Sequence, residues 1–258
     1  MESDSIKEIE ALRQIDFYKA RDAQEKLTND LNDLNKTTDN KLFTRAVEGR
    51  AKDKESLFKK LFKKVKEQSK TEGLTYELLK NCYLDIKDKA GVRFACHYSD
   101  QIEHTIETFI RPHLNGLGYA AELRKNGYED ENYLAGKHAI DGKNLSSGRT
   151  GYRAYHFFVG VVLDTMVYDD RKEIFICEVQ GRSSLQDVWG IISHELIYKQ
   201  FDGWEVDDEK TKERIGNLMN KISDSLDATD SFLIEVRNQV DAAKKRNKKR
   251  NKKGGKSA

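Results

Sequence analysis

The sequence predicts an α+β domain in which helices pack over a sheet. Amphipathic helical stripes stand at both ends of the chain, strand-like runs lie between them, and no compositional break separates the two. Residues 5–36 form the first helix, with Ile9, Leu12, Ala20, Ala23, Leu27, Leu31 and Leu34 recurring at three- and four-residue intervals. A short extended piece follows around 43–50. Leu57, Phe58, Leu61, Phe62 and Val65 then make one apolar stripe of a basic helix whose other faces carry Lys59, Lys60, Lys63 and Lys64. Residues 90–98 read as a strand, and Ser99 or Asp100 caps a helix bearing Ile102, Ile106, Phe109 and Ile110. The polar, glycine-rich stretch 115–151 is too long for an idle loop, so ligand contact is expected there, with a strand near 119–123 and a mobile remainder.

Residues 155–163 and 173–180 are the clearest strands, joined by a turn near Asp169 and Asp170, which makes an antiparallel pair and hence a mixed or antiparallel sheet. Three helices complete the pattern. The first carries Leu185, Val188, Trp189, Ile192 and Leu196, the second Ile215, Leu218, Met219, Ile222 and Leu226, and the third Phe232, Leu233, Val236 and Val240.

With 37% hydrophobic and 35% charged residues, the chain can bury a core only through strongly amphipathic elements. There is one proline, Pro112, and no Gly/Ser-rich linker, so residues 1–243 are expected to form a single domain with its core at about 40–200. The acidic start and the lack of a long apolar run argue against secretion or membrane spanning. Three scattered cysteines, Cys82, Cys96 and Cys177, suit core thiols of a cytoplasmic protein. The net charge of +2 hides an asymmetry: residues 244–258 hold nine Lys or Arg and no acid, which leaves −7 on residues 1–243. Such a tail is expected to be disordered and can draw RNA or a ribosome by counterion release.

Three places carry residues suited to chemistry. Asp88 precedes one strand and Glu178 lies in another, on the same strand face as Ile174, Ile176 and Gln180. Two such carboxylates can share a magnesium ion with a nucleoside triphosphate, yet Asp88 can equally cap a turn and Glu178 pair with Arg182. Arg50, Lys52, Lys54, Ser56 and Lys59 gather at the entrance to the basic helix, an arrangement that suits phosphates or a plain solvated face. Tyr152 and Arg153, at the edge of the glycine-rich stretch, can stack a base or simply end a strand, and His156 beside them suits an apolar, hydrogen-bonded setting.

In order as well as in type, these blocks resemble the synthetase domain of the RelA/SpoT family. Glu178-Val179-Gln180-Gly181-Arg182-Ser183, then Asp187, Trp189, His194, Tyr198 and Lys199, is similar to the family's E-[IV]-Q-[IV]-R-[TS] signature and its downstream residues. Residues 88–93 resemble D-x-A-G-x-R, residues 151–156 G-Y-[RQ]-S-[LY]-H, and Arg50 to Lys59 R-x-K-x-x-x-S-x-x-x-K. The resemblance spans approximately residues 45–200. It implies a mixed, largely antiparallel five-stranded sheet with flanking helices, nucleotidyltransferase-like, that transfers pyrophosphate from ATP to the 3′-hydroxyl of GDP or GTP.

In that reading Asp88 and Glu178 hold Mg²⁺, and Glu178 also takes the acceptor proton. Arg50, Lys52, Lys54, Ser56, Lys59 and Arg93 bind ATP, while Arg149, Tyr152, Arg153, His156, Gln180, Arg182 and His194 bind the acceptor. Ser193 stands where the family has Glu, Gly181 replaces a β-branched residue, and Ser147-Gly148-Arg149-Thr150 replaces the usual K-P-N. These departures keep other acceptors open: the tRNA 3′ end, an adenine nucleotide, or none, in a binding module without turnover. No His-Asp dipeptide of the family's hydrolase domain is present. The chain thus resembles a small stand-alone synthetase, and short relatives assemble through terminal helices, which points to homo-oligomers through the stripe from Ile215 to Val240.

Overall fold

The computed structural model describes residues 2–38, 41–72, 75–86, 89–119, 138–139, 154–163, 173–193, 195–196 and 209–254 of the 258. Its elements are α1 (Glu2–Thr37), β1 (Glu48–Ala51), α2 (Lys54–Glu72), α3 (Tyr76–Leu84), β2 (Ala90–Cys96) and α4 (Asp100–Thr105), then a π turn (Ile106–Ile110) leading into α5 (Arg111–Gly116). There follow β3 (His138–Ala139), β4 (Tyr155–Leu163), β5 (Glu173–Ser183), α6 (Ser184–Ser193) and α7 (Glu209–Gly254). The architecture is α+β, a mixed sheet with flanking helices. The expected strand near 119–123 and the turn near 169–170 fall outside the described residues, apart from Tyr119, which is not extended.

Contacts group the chain into two compact units. The first comprises Met1–Phe94, His104–Ala139 and Tyr155–Gly181; the second comprises Ala95–Glu103, Ile140–Ala154 and Arg182–Ala258.

In the first unit the sheet runs in the order β1-β2-β5-β4-β3, and β1/β2, β4/β5 and β3/β4 pair antiparallel. Four strands carry this sheet; the fifth, β3, contributes two residues, His138 opposite His156 and Ala139 opposite Tyr155. Alternation along the strands sorts the side chains. Val92, Phe94, Phe157, Val159, Val161, Phe175, Cys177 and Val179 are buried, whereas Gly91, Arg93, His156, Phe158, Ile174, Ile176, Glu178 and Gln180 are half-buried.

Helix α1 packs on β1 and β4 and buries Ala20, Ala23, Leu27, Leu31 and Leu34, as the periodicity predicts. Gly49 permits this approach, since a Cβ there would stand 1.8 Å from Gln24 Nε2 and 2.3 Å from Thr28 Oγ1. Asn32 clamps the chain entering β1, its Oδ1 accepting from Val47 N at 2.8 Å and its Nδ2 donating to Val47 O at 3.3 Å.

Helices α2 and α3 bury a satellite cluster of Leu57, Leu61, Val65, Leu78, Cys82, Tyr83 and Ile86. The predicted stripe of α2 is narrower than expected. Phe58 and Phe62 are 51% and 62% exposed and stack on one another at 6.4 Å, because the pairing with α3 needs only the face one turn-step away.

In the second unit α4 begins as predicted, but its N-terminus is capped from elsewhere in the unit. Asp230 of α7, itself buried, accepts from Ser99 N at 2.9 Å. Arg237 grips Asp100 with two nitrogens, at 2.9 and 2.5 Å, and lies 4.9 Å over the Tyr98 ring. Asp100 in turn raises the Arg237 pKa.

The two helices expected over 215–240 are one. The helix runs unbroken through both, and within it the hydroxyls of Ser225, Thr229 and Ser231 bond back to carbonyls four residues earlier, at 2.8, 2.8 and 3.0 Å. That helix continues to Gly254, so the basic run from residue 244, expected to be disordered, is helical over its first eleven residues (244–254). Among the described residues no helix is long and apolar enough to cross a membrane.

Candidate active site

The site is built on the half-buried face of the first unit's sheet. Glu178 in β5 sits opposite Phe158 in β4, and His156 sits opposite Gln180. All four side chains therefore share a face, and their contacts follow: His156 Nδ1 lies 2.6 Å from Glu178 Oε1, and Gln180 Nε2 donates to Glu178 Oε2 at 2.9 Å. Glu178 is only 15% exposed, a position in which a charged carboxylate needs such partners.

On the other side of β5 lies β2. A Cβ on Gly91 would meet Glu178 O at 3.5 Å and Glu178 Cβ at 4.0 Å, so residues 91 and 178 stand side by side. Gly91 faces Arg50 across the β1/β2 ladder, and Arg93 faces Glu48. Arg50, Arg93, Glu178, His156 and Gln180 thus belong to one surface, and the missing side chain at 91 leaves room between Arg50 and Glu178. The role of Gly91 escapes a residue-by-residue reading because it is a space rather than a group.

Beyond Ala51 the ladder gains one more bond, Lys52 N to Lys89 O at 2.8 Å, and the chain turns into α2. Asp53 caps that helix: its Oδ1 accepts from Ser56 N and its Oδ2 from Ser56 Oγ, both at 2.8 Å, while Leu57 N donates to Asp53 O at 3.0 Å. The Ser56 amide and hydroxyl hold the Asp53 carboxyl below its ordinary pKa. Ser56, expected to grip phosphate, therefore has its hydroxyl engaged by the cap. Lys54 stands 5.5 Å from the Phe17 ring of α1, and Lys59 pairs with Glu55 at 3.4 Å.

Replacing Asp53 by Ala is expected to cost about 1 kcal/mol of stability at neutral pH. A depressed folded-state pKa contributes stability that is present above the unfolded value and lost as pH falls through the folded one, so this cost should fade below about pH 3.8. Urea denaturation of parent and variant between pH 3 and 7 measures it; a penalty that does not change with pH would contradict the cap.

Arg182, expected among the acceptor-binding residues, is buried. It belongs to the second unit, is 2% exposed, and pairs with Asp187 of α6, Nη1 to Oδ1 at 3.6 Å. Its guanidinium lies on Gly190, where a Cβ would stand 2.0 Å from Nη1. This explains why α6 buries Asp187, Trp189, Gly190 and Ser193 while Val188, Ile192 and Leu196 of the predicted stripe are exposed. A buried arginine claims small and acidic neighbours, and hydrophobic periodicity does not register them. Asp88, Arg149, Tyr152, Arg153 and His194 lie outside the described residues.

The three cysteines are free and buried, and burial pushes the Cys177 thiol far up, so the neighbour of Glu178 in β5 is an inert core group.

Comparison with solved structures decides the fold. Small alarmone synthetase 1 from Bacillus subtilis, bound to its product pppGpp, is similar over 88% of this chain and 97% of its own, with a TM-score of 0.55 and 21% identity. Its fold is that of the small alarmone synthetases. Small alarmone synthetase 2 from Bacillus subtilis matches 88% of this chain and 98% of its own, with a TM-score of 0.56 and 16% identity. A GTP pyrophosphokinase family protein from Streptococcus pneumoniae matches 91% and 97%, with a TM-score of 0.53 and 18% identity. No protein-family profile and no curated protein sequence matches the chain. The likeness to the alarmone synthetase fold is one of shape along nearly the whole length, at identities that establish shape alone.

Proposed function

We propose that this chain transfers the pyrophosphate group of ATP to the 3′-hydroxyl of GDP or GTP and releases AMP. The observation that carries the reading is the Glu178 carboxylate, held by His156 and Gln180 on the surface it shares with Arg50 and Arg93. The small alarmone synthetase of the same fold that is bound to pppGpp supports the choice of a guanine acceptor.

In the proposed step the acceptor 3′-oxygen forms a bond to the β-phosphorus of ATP, the bridge to the α-phosphorus breaks, and its electron pair leaves with AMP. Glu178 receives the 3′-hydroxyl proton, with His156 and Gln180 fixing its direction. Arg50 lies against the adenine and Arg93 faces the phosphates; Lys52 and Lys59, at the entry to α2, add positive charge there. Tyr152 stacks the acceptor base, with Arg149, Arg153 and His194 around it.

A magnesium ion suits the donor chemistry of this surface. Among the described residues no group of three or more His, Cys, Asp and Glu gathers, so an ion would rest on one or two carboxylates and substrate phosphates, the habit of Mg²⁺. Glu178 and Asp88 would hold it, and it would neutralise charge on the transferring group.

The test is purified protein with Mg²⁺ and ATP labelled at its terminal phosphate, offered GDP, GTP, ADP, ATP and tRNA in turn. Label on GDP or GTP is expected, whereas label confined to tRNA or to adenine nucleotides overturns the acceptor assignment. ATP binding without transfer to any acceptor would make the chain a binding module. In calorimetric titration with a non-hydrolysable ATP analogue, Arg50→Ala is expected to weaken binding about 10-fold, the scale of one stacked arginine. Unchanged affinity would remove Arg50 from the donor site.

A further inference from the structure

Lys89 immediately precedes β2 and is only 9% exposed, an enclosure that lysine rarely accepts. Its Nζ lies 4.3 Å from the centre of the Tyr83 ring, and Tyr83 belongs to the cluster that α2 and α3 bury with Leu57, Leu61 and Val65. Lys89 O accepts from Lys52 N, which continues the β1/β2 register by one step and sets the two lysines opposite each other, as Arg50 is set opposite Gly91. Alternation along β2 gives residue 89 the parity of Gly91 and Arg93, the face that carries the candidate site. Lys89 and Arg93 thus stand on either side of Gly91, each roughly 7 Å along the strand. The space left at 91, in front of Glu178, is bracketed by two cations.

Packing alone does not call for a charge at 89. A methionine there would cover the Tyr83 ring without taking an ammonium out of water, and the members of the cluster besides Tyr83 are apolar or a thiol. Asp85, at the end of α3, is paired with Lys64. Like charges at opposed positions of a ladder also repel, which sets Lys52 against Lys89. Both costs are offset when a polyanion occupies the face, because a cation fixed in a poorly solvated place attracts phosphate more strongly than one in open water.

We propose that Lys89 is a further donor-site residue, its ammonium held on the Tyr83 ring to meet the phosphates of a nucleoside triphosphate, with Tyr83 as its positioning residue. The inference rests on the pyrophosphate-transfer reading for the place of the donor on the sheet. The triphosphate crosses the space at Gly91 between Arg93 and the pair of Lys52 and Lys89, which lays it before the Glu178 carboxylate.

In calorimetric titration Lys89→Met should weaken binding of a non-hydrolysable ATP analogue about 10-fold or more, and should leave AMP, with the same base and one phosphate, within about 2-fold. Lys89→Gln, which also removes the charge, should do the same. Thermal unfolding of Lys89→Met should match the parent or lie above it, since a buried charge is exchanged for an apolar chain of similar length. Tyr83→Phe keeps the ring face and should bind the analogue within about 2-fold of the parent. Tyr83→Leu should lose about as much as Lys89→Met, and the double variant no more than either. Unchanged analogue affinity in both Lys89 variants overturns the inference, and so does equal weakening of analogue and AMP, or a lower unfolding temperature for Lys89→Met, the marks of a lysine that only supports the fold. A parent chain that binds the analogue and labels no acceptor ends the transfer reading alone, because these titrations read donor binding without turnover. A parent that binds no analogue ends both.

Discussion

Glu178→Gln is expected to lower pyrophosphate transfer by about 10²–10⁴-fold while leaving the chain folded. Glu178 Oε1 accepts from His156 Nδ1 and Oε2 from Gln180 Nε2. A glutamine keeps the shape but offers one oxygen and one NH₂, so it can satisfy only one of these donors as they stand. The imidazole can change tautomer and the Gln180 amide can rotate, so the cost to stability stays near one hydrogen bond, about 1 kcal/mol. The cost to chemistry is larger, because neither a general base nor an anionic cation ligand remains at 178. Single-turnover transfer and thermal unfolding, measured on the same preparation, separate the two effects. Full activity in a folded Glu178→Gln variant would remove the residue from the mechanism.

Asp187→Ala carries the largest expected loss of stability, about 3–5 kcal/mol, because it takes the carboxylate away from a guanidinium that is almost fully enclosed. Gly190→Ala tests the same enclosure from the opposite side. Its methyl carbon would lie 2.0 Å from Arg182 Nη1 and 2.8 Å from Cζ, so either the arginine or α6 must move, at about 1–3 kcal/mol. Urea denaturation of both variants is the measurement, and losses under about 0.5 kcal/mol would show that Arg182 is not locked where the structure places it. Through Asp187 and Gly190, Arg182 holds α6 to the end of β5.

The two acidic positions in α6 and β5 show how far pattern reading reaches. Glu178 was legible because strand alternation assigns it a face, and that face proved to hold Gln180 and, across the ladder, His156. Asp187 appeared in a recurring motif, but its partner was not legible, since nothing local tells a buried arginine from one that reaches a ligand. Phe58 and Phe62 mark the same limit. They share a helical stripe with Leu57 and Leu61, yet among the described residues burial stops at the face of α2 that packs on α3.

Periodicity along the chain settled the class of the fold, the strands at 155–163 and 173–180, and the parity that joins Glu178, Gln180 and Ile176, because repeats of two and of three to four residues are properties of neighbours in sequence. Which half of each stripe is covered, and that Gly91 opens space before Glu178, depend on groups far apart in sequence brought within a few ångströms. Such contacts arise from packing and desolvation across elements, and no local pattern encodes them.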